Sequence, residues 1–447
     1  NKMTYLYQTL KNGVKLCIVV ILVVFCSTIQ AQELYFPPNG SETWETLPPD
    51  SLNWCQENID ALYSFLDEQE SKAFILLKDG KIVLEHYTGT FTADSSWYWA
   101  SAGKTLTAFL IGIAQEDGLL NIDDPSSIYQ GTGWTSCTEP EESQILIRHQ
   151  LSMSSGLDDG TGDPYCTLPE CLQCIAAPGT RWAYHNGPYT LLDNVMENAT
   201  GQNLTVFAYQ NMFNDMGMNG LFIQVGDNNV FFSKPRMMAR FGLLLLNNGV
   251  WNGTAILGDS DYLYDMTHSS QDMNPSYGYL TWLNGYDQVM IPSTQTVFDG
   301  PLFPAAPTDL YAALGKDGQI LNVVPSQGLV VVRMGNAPGT EYLVPSLLND
   351  DIWEYINELP CSPNAIPENA TAQELFSIQR NENSNEWIIS SELIQDFQWK
   401  VFNISGQKIL EGRNETRVSL NSLRSGIYLL RIQTLGQEPF VFKLFKD

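Results

Sequence analysis

Residues 101–117 read SAGKTLTAFLIGIAQED. Leu106, Ala108, Phe109, Leu110, Ile111 and Ile113 leave no wet face near the start of this segment, so it predicts a buried helix, with Gly118 as a left-handed stop. Ser101 and Lys104 stand three apart, which places them on one helix face with the amine in reach of the hydroxyl. Serine is a poor nucleophile until something takes its proton, and a lysine in a dry pocket loses its charge and can serve as that base. Such a pair also arises by chance in most chains of this length, as a capping serine and a surface lysine. The apolar flank argues against that ordinary origin for Lys104.

Outward from this helix the pattern predicts a mixed fold. Residues 51–67 carry the spacing of an amphipathic helix, and Ala73–Leu77 and Lys81–Glu85 flank Asp79-Gly80 as a hairpin. A second hairpin runs Ile320–Val324 and Leu329–Arg333, and residues 343–356 are again helical in pattern. Helix, antiparallel strands, a mainly helical middle, antiparallel strands and helix predict an α+β architecture with the terminal helices packed on one sheet. Residues 363–386 lack periodicity and predict a linker; residues 387–447 show short alternating strands and predict a small β-sandwich.

Two more clusters carry candidate chemistry. Pro178 to Asn186 includes Tyr184 and Asn186, two apart on an extended loop, so both can project into a cleft, the phenol for proton transfer and the amide for a substrate carbonyl. A tyrosine corner and a turn asparagine are the bland alternative, and His185 between them is expected to point away. Gly315-Lys316-Asp317-Gly318-Gln319 leads into an apolar strand, where small residues let a substrate lie against the backbone and an amide can help hold an oxyanion; a simple turn fits as well. Trp97, Tyr98, Trp99 and Trp182 lie near these motifs and suit either an apolar acyl group or core packing.

The bulk properties restrict the partners. A formal charge of -27 repels phosphate backbones and anionic headgroups, so neither nucleic acid nor a membrane surface is an expected partner. Lys11 and Lys15, the apolar run Leu16–Phe25 and small residues up to Ala31 predict that residues 1–31 are a signal peptide, with no stable membrane insertion after its removal. The body then spans residues 32–362. Its export favours disulfides among Cys55, Cys137, Cys166, Cys171, Cys174 and Cys361, with a local knot among the central cysteines and a bridge between Cys55 and Cys361 as the readings; no histidine pair has zinc spacing beside them.

In this order the three clusters resemble the penicillin-recognising serine hydrolases, the class C β-lactamase-related superfamily with its peptidases, esterases and amide hydrolases. Residues 149–157, 241–253 and 318–332 resemble further segments of that family, so the likeness runs from about residue 55 to 357. It implies a β-lactamase/transpeptidase-like fold and an acyl-enzyme on Ser101, with Lys104 and Tyr184 moving its proton. It further implies that Asn186 orients the substrate, that Lys316 and Gly318 line the site, and that the amides of Ser101 and Gln319 hold the oxyanion. No metal or organic cofactor is implied. Where penicillin-directed members have Lys-Thr-Gly or Lys-Ser-Gly, this chain has Lys316-Asp317-Gly318, whose carboxylate repels carboxylate-bearing substrates. The pattern is closer to the esterase and 6-aminohexanoate-oligomer hydrolase branch. D-alanyl peptidase or β-lactamase activity, and a non-catalytic binding protein or sensor on the same scaffold, are the competing expectations.

The tail resembles the C-terminal sorting domain of the type IX secretion system, on Phe402 to Lys408, on Ser425 to Arg431 and on the basic ending Lys443–Lys446. That resemblance implies the type IX machinery as a partner and export to the cell surface or medium.

Overall fold

The computed structural model describes residues 34–40, 43–336, 344–361, 376–381, 385–391, 397–403, 406–434 and 439–446. The expected signal peptide and most of the expected linker lie outside these residues. The chain divides into two compact units, residues 1–359 and 360–447.

The larger unit is built on one six-stranded antiparallel sheet. Helix α1 (Gln56–Glu68) precedes β1 (Ser71–Lys78) and β2 (Lys81–Tyr87), and the short β3 (Trp97–Tyr98) leads into a tight turn at Ala100–Ala102 and then α2 (Gly103–Glu116). Helices α3 (Asn186–Thr190) and α4 (Leu192–Thr200), the hairpin β4 (Leu221–Val225) and β5 (Asn228–Ser233), and α5 (Pro235–Leu246) make up the middle. The chain returns through β6 (Trp282–Leu283), β7 (Tyr311–Gly315), β8 (Gln319–Val324) and β9 (Leu329–Gly335) to α6 (Ser346–Glu358). The sheet order is β2-β1-β9-β8-β7-β6, so the two predicted hairpins meet where β1 pairs with β9. The β1–β2 turn uses left-handed Asp79 (φ 50°) and Gly80 (φ 84°), and a side chain on Gly80 would strike the Tyr35 carbonyl.

Strand alternation sorts the helices onto the two faces. Leu321 and Val330 lie under Gly242 of α5, which has no room for even a methyl group: a Cβ there would sit 2.5 Å from Val330 and 2.7 Å from Leu321. On the other face Asn322 exchanges amide hydrogen bonds with Asn349 of α6 at 2.7 and 3.1 Å, fully buried. The terminal helices α1 and α6 pack together there, with Phe65 stacked on Tyr355. The α+β class expected from the sequence is therefore the observed one. Helix α2 is buried from Gly103 through Ala114 on every side, as its composition requires.

The smaller unit stacks β10 (Ser377–Arg380), β11 (Glu386–Ser390) and β14 (Arg417–Ser419) as one sheet, and β12 (Gln398–Asn403), β13 (Lys408–Arg413), β15 (Gly426–Gln433) and β16 (Phe440–Lys446) as a second. Inward residues of both, including Ile389, Trp399, Val401, Val418, Leu430, Ile432 and Leu444, form its own core. Strand β10 corrects the expected linker, which ran to residue 386. Ser377, Gln379 and Arg380 gave it no apolar alternation, because only Phe376 just before it is fully buried.

The close seat of α5 makes a sharp prediction. Gly242→Leu forces α5 off the sheet and costs about 1–3 kcal/mol; a thermal melt of the full chain reads this as a lowered Tm, whereas the exposed Gly253→Leu leaves the core contacts untouched.

Candidate active site

Ser101 sits in the middle of the Ala100–Ala102 turn, at the mouth of α2. Several contacts fix this turn. Trp99 is fully buried, its amide donates to the Phe231 carbonyl at 2.8 Å, and its indole N–H donates to Ser233 Oγ at 2.8 Å. Ala100 is held at φ 46°, a conformation few side chains tolerate, so the strand is broken sharply just before the serine.

The helix then brings Lys104 back to the serine. Its Nζ donates to Ser101 Oγ at 3.2 Å, and the side chain is 4 % exposed. Burial pushes this amine down to about 7, and Asp193 on α4 works against that shift. The ammonium lies 3.9 Å from the Tyr189 ring centroid and 5.5 Å from that of Tyr184. Asp193 is itself pushed up to about 7 by burial, with a hydrogen bond from Asn229 and the charge of Lys104 opposing.

Tyr184 reaches the same hydroxyl from the opposite wall, within hydrogen-bonding distance of Ser101. Its ring is stacked on Trp282 and edge-on to Tyr277, and this burial raises the phenol well above its ordinary value. The side chain is therefore a neutral phenol at physiological pH, not the phenolate considered from the sequence. Asn186 opens α3 beside it; its Oδ1 is buried and accepts no hydrogen bond from the described residues. His185 is buried and pushed down to about 4 by desolvation, so its imidazole is neutral, and both ring nitrogens lack partners among the described residues. It lies next to Gly187 under the Cys166 carbonyl.

The third wall is the end of β7. A methyl group on Gly315 would fall 2.3 Å from the Trp99 carbonyl and 2.9 Å from the Ala102 nitrogen, so only glycine lets this strand touch the serine turn. Strand β7 pairs with β6 only through Tyr311 and Ala312, so from Ala313 to Gly315 no strand among those described covers its outer edge.

Lys316-Asp317-Gly318 is not on that strand. It forms the tight turn from β7 to β8, with Asp317 at φ 64°. The small residues expected beside the substrate are Ala312, Ala313 and Gly315 instead. Gln319 is fully buried and spends its carboxamide on the fold: Nε2 donates to Gly335 O at 2.7 Å and Oε1 accepts from Gly335 N at 3.1 Å. Its backbone stands opposite Gly315 in the β7–β8 ladder, one strand further from Ser101 than the strand end itself. Asp317 Oδ2 accepts a hydrogen bond from Tyr98 at 2.7 Å. Trp99 and Trp182 are core residues, while Trp97 and Tyr98 are half-buried.

Sequence reasoning missed Arg333. This guanidinium, fully buried, donates to Ser71 Oγ and to the carbonyls of Asp317, Gly318, Gln69 and Asn336. Gly318 and Gly335 admit it, since a Cβ on either would lie 2.2 or 2.6 Å from its nitrogens. Tyr189 and Asp193, also missed, had one signal: four apart on a helical stretch, they share a face.

Among the described residues no three His, Cys, Asp or Glu side chains are arranged to hold a metal ion. Cys137 pairs with Cys174 and Cys166 with Cys171, which makes the local knot beside this lobe, and Cys55 and Cys361 are each disulfide-bonded.

Comparison with known proteins agrees with this geometry. A family profile described as Beta-lactamase matches residues 66–346, well over half the chain. The chain belongs to the beta-lactamase family. A second profile, the secretion system C-terminal sorting domain, matches residues 381–444. An uncharacterized protein of Alkalihalophilus pseudofirmus is 24 % identical over 322 residues, covering 63 % of this chain and 88 % of that protein. The fold is shared with a putative 6-aminohexanoate-dimer hydrolase from Bacillus anthracis (TM-score 0.52, 18 % identity, 74 % of this chain and 90 % of that one). A putative beta-lactamase from Bacteroides dorei is equally similar (TM-score 0.53, 18 % identity, 68 % and 99 %). The sorting domain marks this member of the family for the type IX route and a surface or extracellular location. No helix among the described residues is long and apolar enough to cross a membrane.

Arg333 makes the second prediction. Arg333→Met leaves four carbonyls and a hydroxyl without their donor, which costs about 3 kcal/mol or more; denaturant melts record the loss, and the same variant labels Ser101 more slowly with a fluorophosphonate because the β7–β8 turn is released.

Proposed function

We propose that the chain is a serine hydrolase that cleaves ester or amide bonds through an acyl-enzyme on Ser101, in the esterase and 6-aminohexanoate-oligomer hydrolase branch of its family. The observation that carries this reading is the 3.2 Å contact between Ser101 Oγ and a buried Lys104 whose amine is poised near neutrality.

The roles follow from protonation. Neutral Lys104 takes the Ser101 proton as Oγ attacks the substrate carbonyl carbon, and the carbonyl oxygen becomes an oxyanion. Tyr184, a neutral phenol, is suited to pass a proton to the departing alcohol or amine and draw its replacement through Ser101 and Lys104. Water then attacks the acyl-enzyme by the same relay in reverse and releases the acid. The uncovered edge of β7 offers backbone groups to an extended substrate, and the amides of Ser101 and of Lys316, which follows Gly315 at the strand end, are the nearer candidates for the oxyanion. Asn186 Oδ1 is an unfilled buried acceptor that suits a substrate N–H.

Asp317 sets the charge preference. Its carboxylate, held by Tyr98 beside the strand end, disfavours the carboxylate of penicillins and of D-alanyl termini. The substrate is thus a small ester or amide without an anion on that side, and β-lactam turnover is weak.

The test uses p-nitrophenyl esters, D-alanyl peptides, 6-aminohexanoate oligomers and a chromogenic cephalosporin. Ester or linear amide turnover is expected, lost at least 10³-fold in Ser101→Ala and about 10²-fold or more in Tyr184→Phe. Fluorophosphonate labelling of wild type but not of Ser101→Ala separates this reading from a binding protein; no labelling and no turnover would refute it. Asp317→Asn is expected to improve carboxylate-bearing substrates roughly tenfold relative to neutral esters.

A pH profile supplies a further check. Lys104 acts only when deprotonated, so kcat/KM falls as pH drops through about 7, with unit slope and no recovery at lower pH. An acid limb centred instead near the ordinary carboxylate range would assign the base elsewhere.

A further inference from the structure

The smaller unit carries a surface unlike the rest of the molecule. Opposed residues in antiparallel strands share a face, so the register defines rows across the outer side of the β13-β12-β15-β16 sheet. One row is Glu411, Lys400, Arg431 and Val441; the next is Lys408, Phe402, Leu429 and Lys443; Ile427 and Phe445 follow, and Arg413 and Gln398 begin the row on the other side. Five cations thus face outward against one carboxylate, Glu411, in a chain whose formal charge is -27. Between them Ile427, Leu429, Val441 and Phe445 are 38–56 % exposed. The outer face of the β10-β11-β14 sheet has a different composition, with Ser377, Gln379, Ser390 and Ser419 around Arg417 and Glu386.

Protection of a sheet edge does not account for the cations. Lysines placed to block edge pairing belong on edge strands, here β13 and β16. Lys400 and Arg431 stand opposite each other on the two inner strands, where there is no edge to block and where adjacent like charges cost stability. An apolar and cationic face of this kind is held against that cost by what it binds.

We propose that this face docks the sorting domain onto an acidic, apolar-studded protein surface of the type IX export apparatus. The cations lie in the middle of the face, interleaved with the apolar side chains, so any close partner desolvates them. A folded protein can meet each with a carboxylate at a fixed position, whereas the hydrocarbon under a lipid headgroup layer cannot.

The experiment follows the full-length chain in a bacterium with type IX export. The triple variant Lys400→Glu, Arg431→Glu, Lys443→Glu is expected to lower the exported fraction at least tenfold, while Arg417→Glu on the other sheet leaves it unchanged. The neutral triple variant to Gln keeps the strands and is expected to fall between, which separates lost docking from lost folding; equal Tm values of the purified chains check this. Wild-type export of both triple variants would overturn the proposal. So would flotation of the wild-type chain with phosphatidylglycerol vesicles that the Glu variant abolishes, since that assigns the face to lipid. Ester turnover by the purified variants stays at the wild-type level, so this test and that of the hydrolase reading fail independently.

Discussion

One amine withdrawn from water organises the larger unit. Taking a lysine head group out of solvent costs several kcal/mol unless its charge is shed or answered, and the surroundings of Lys104 do both in part. The Tyr189 ring faces it at 3.9 Å and Asp193 lies within electrostatic reach, yet burial still outweighs them and holds the amine near 7. Asp193 is pushed toward neutrality by the same burial, so the two groups titrate as one unit. Helix α2 has to be apolar on all sides for this to work, since any wet face near Gly103 would return the charge to Lys104. The composition of residues 103–114 is thus a condition of the chemistry as well as of packing.

The serine has to be delivered to that amine with little freedom, and the means are backbone contacts that tolerate no side chain. Gly315 allows β7 to press on the Trp99–Ala102 turn, and Gly318 and Gly335 leave room for the Arg333 guanidinium that ties the β7–β8 turn to Gln69 and Asn336. Arg333 carries charge into a dry sheet because it has five acceptors for it. Strain at Ala100 and Asp317, both with positive φ, is held in place by these neighbours. The turn bearing the nucleophile and the turn at the strand end are thus braced from opposite sides of the same contact.

This division explains what was legible in the sequence. Periodicity exposed α2 and the strands of both hairpins because their apolar faces are local properties, and Ser101 with Lys104 was legible because three residues on a helix fix their meeting. Tyr184 was legible through its motif, but its protonation was not, since Trp282 and Tyr277 come from nearly a hundred residues away. Arg333 passed as the end of a strand because its acceptors are carbonyls, which no side-chain pattern announces. The triplet at Lys316 drew attention by composition, whereas the strand end that touches the serine is the less conspicuous Gly315. Strand β10 was hidden for a related reason: pairing with β11, not an apolar face, makes it a strand.

Burial acts with opposite sign on the two proton carriers, and that supplies their division of labour in the proposed reaction. An apolar environment disfavours the charged form of any group, so it lowers the affinity of an amine for its proton and raises that of a phenol. Lys104 is thereby prepared to accept a proton near neutral pH, and Tyr184 to hold one until a stronger base, the departing group, appears beside it. Both face one hydroxyl, so no charged residue has to be introduced to polarise it. A single physical condition, exclusion of water from the space between α2, α3 and β7, thus makes one side chain a base and the other an acid, and admitting water there weakens both at once.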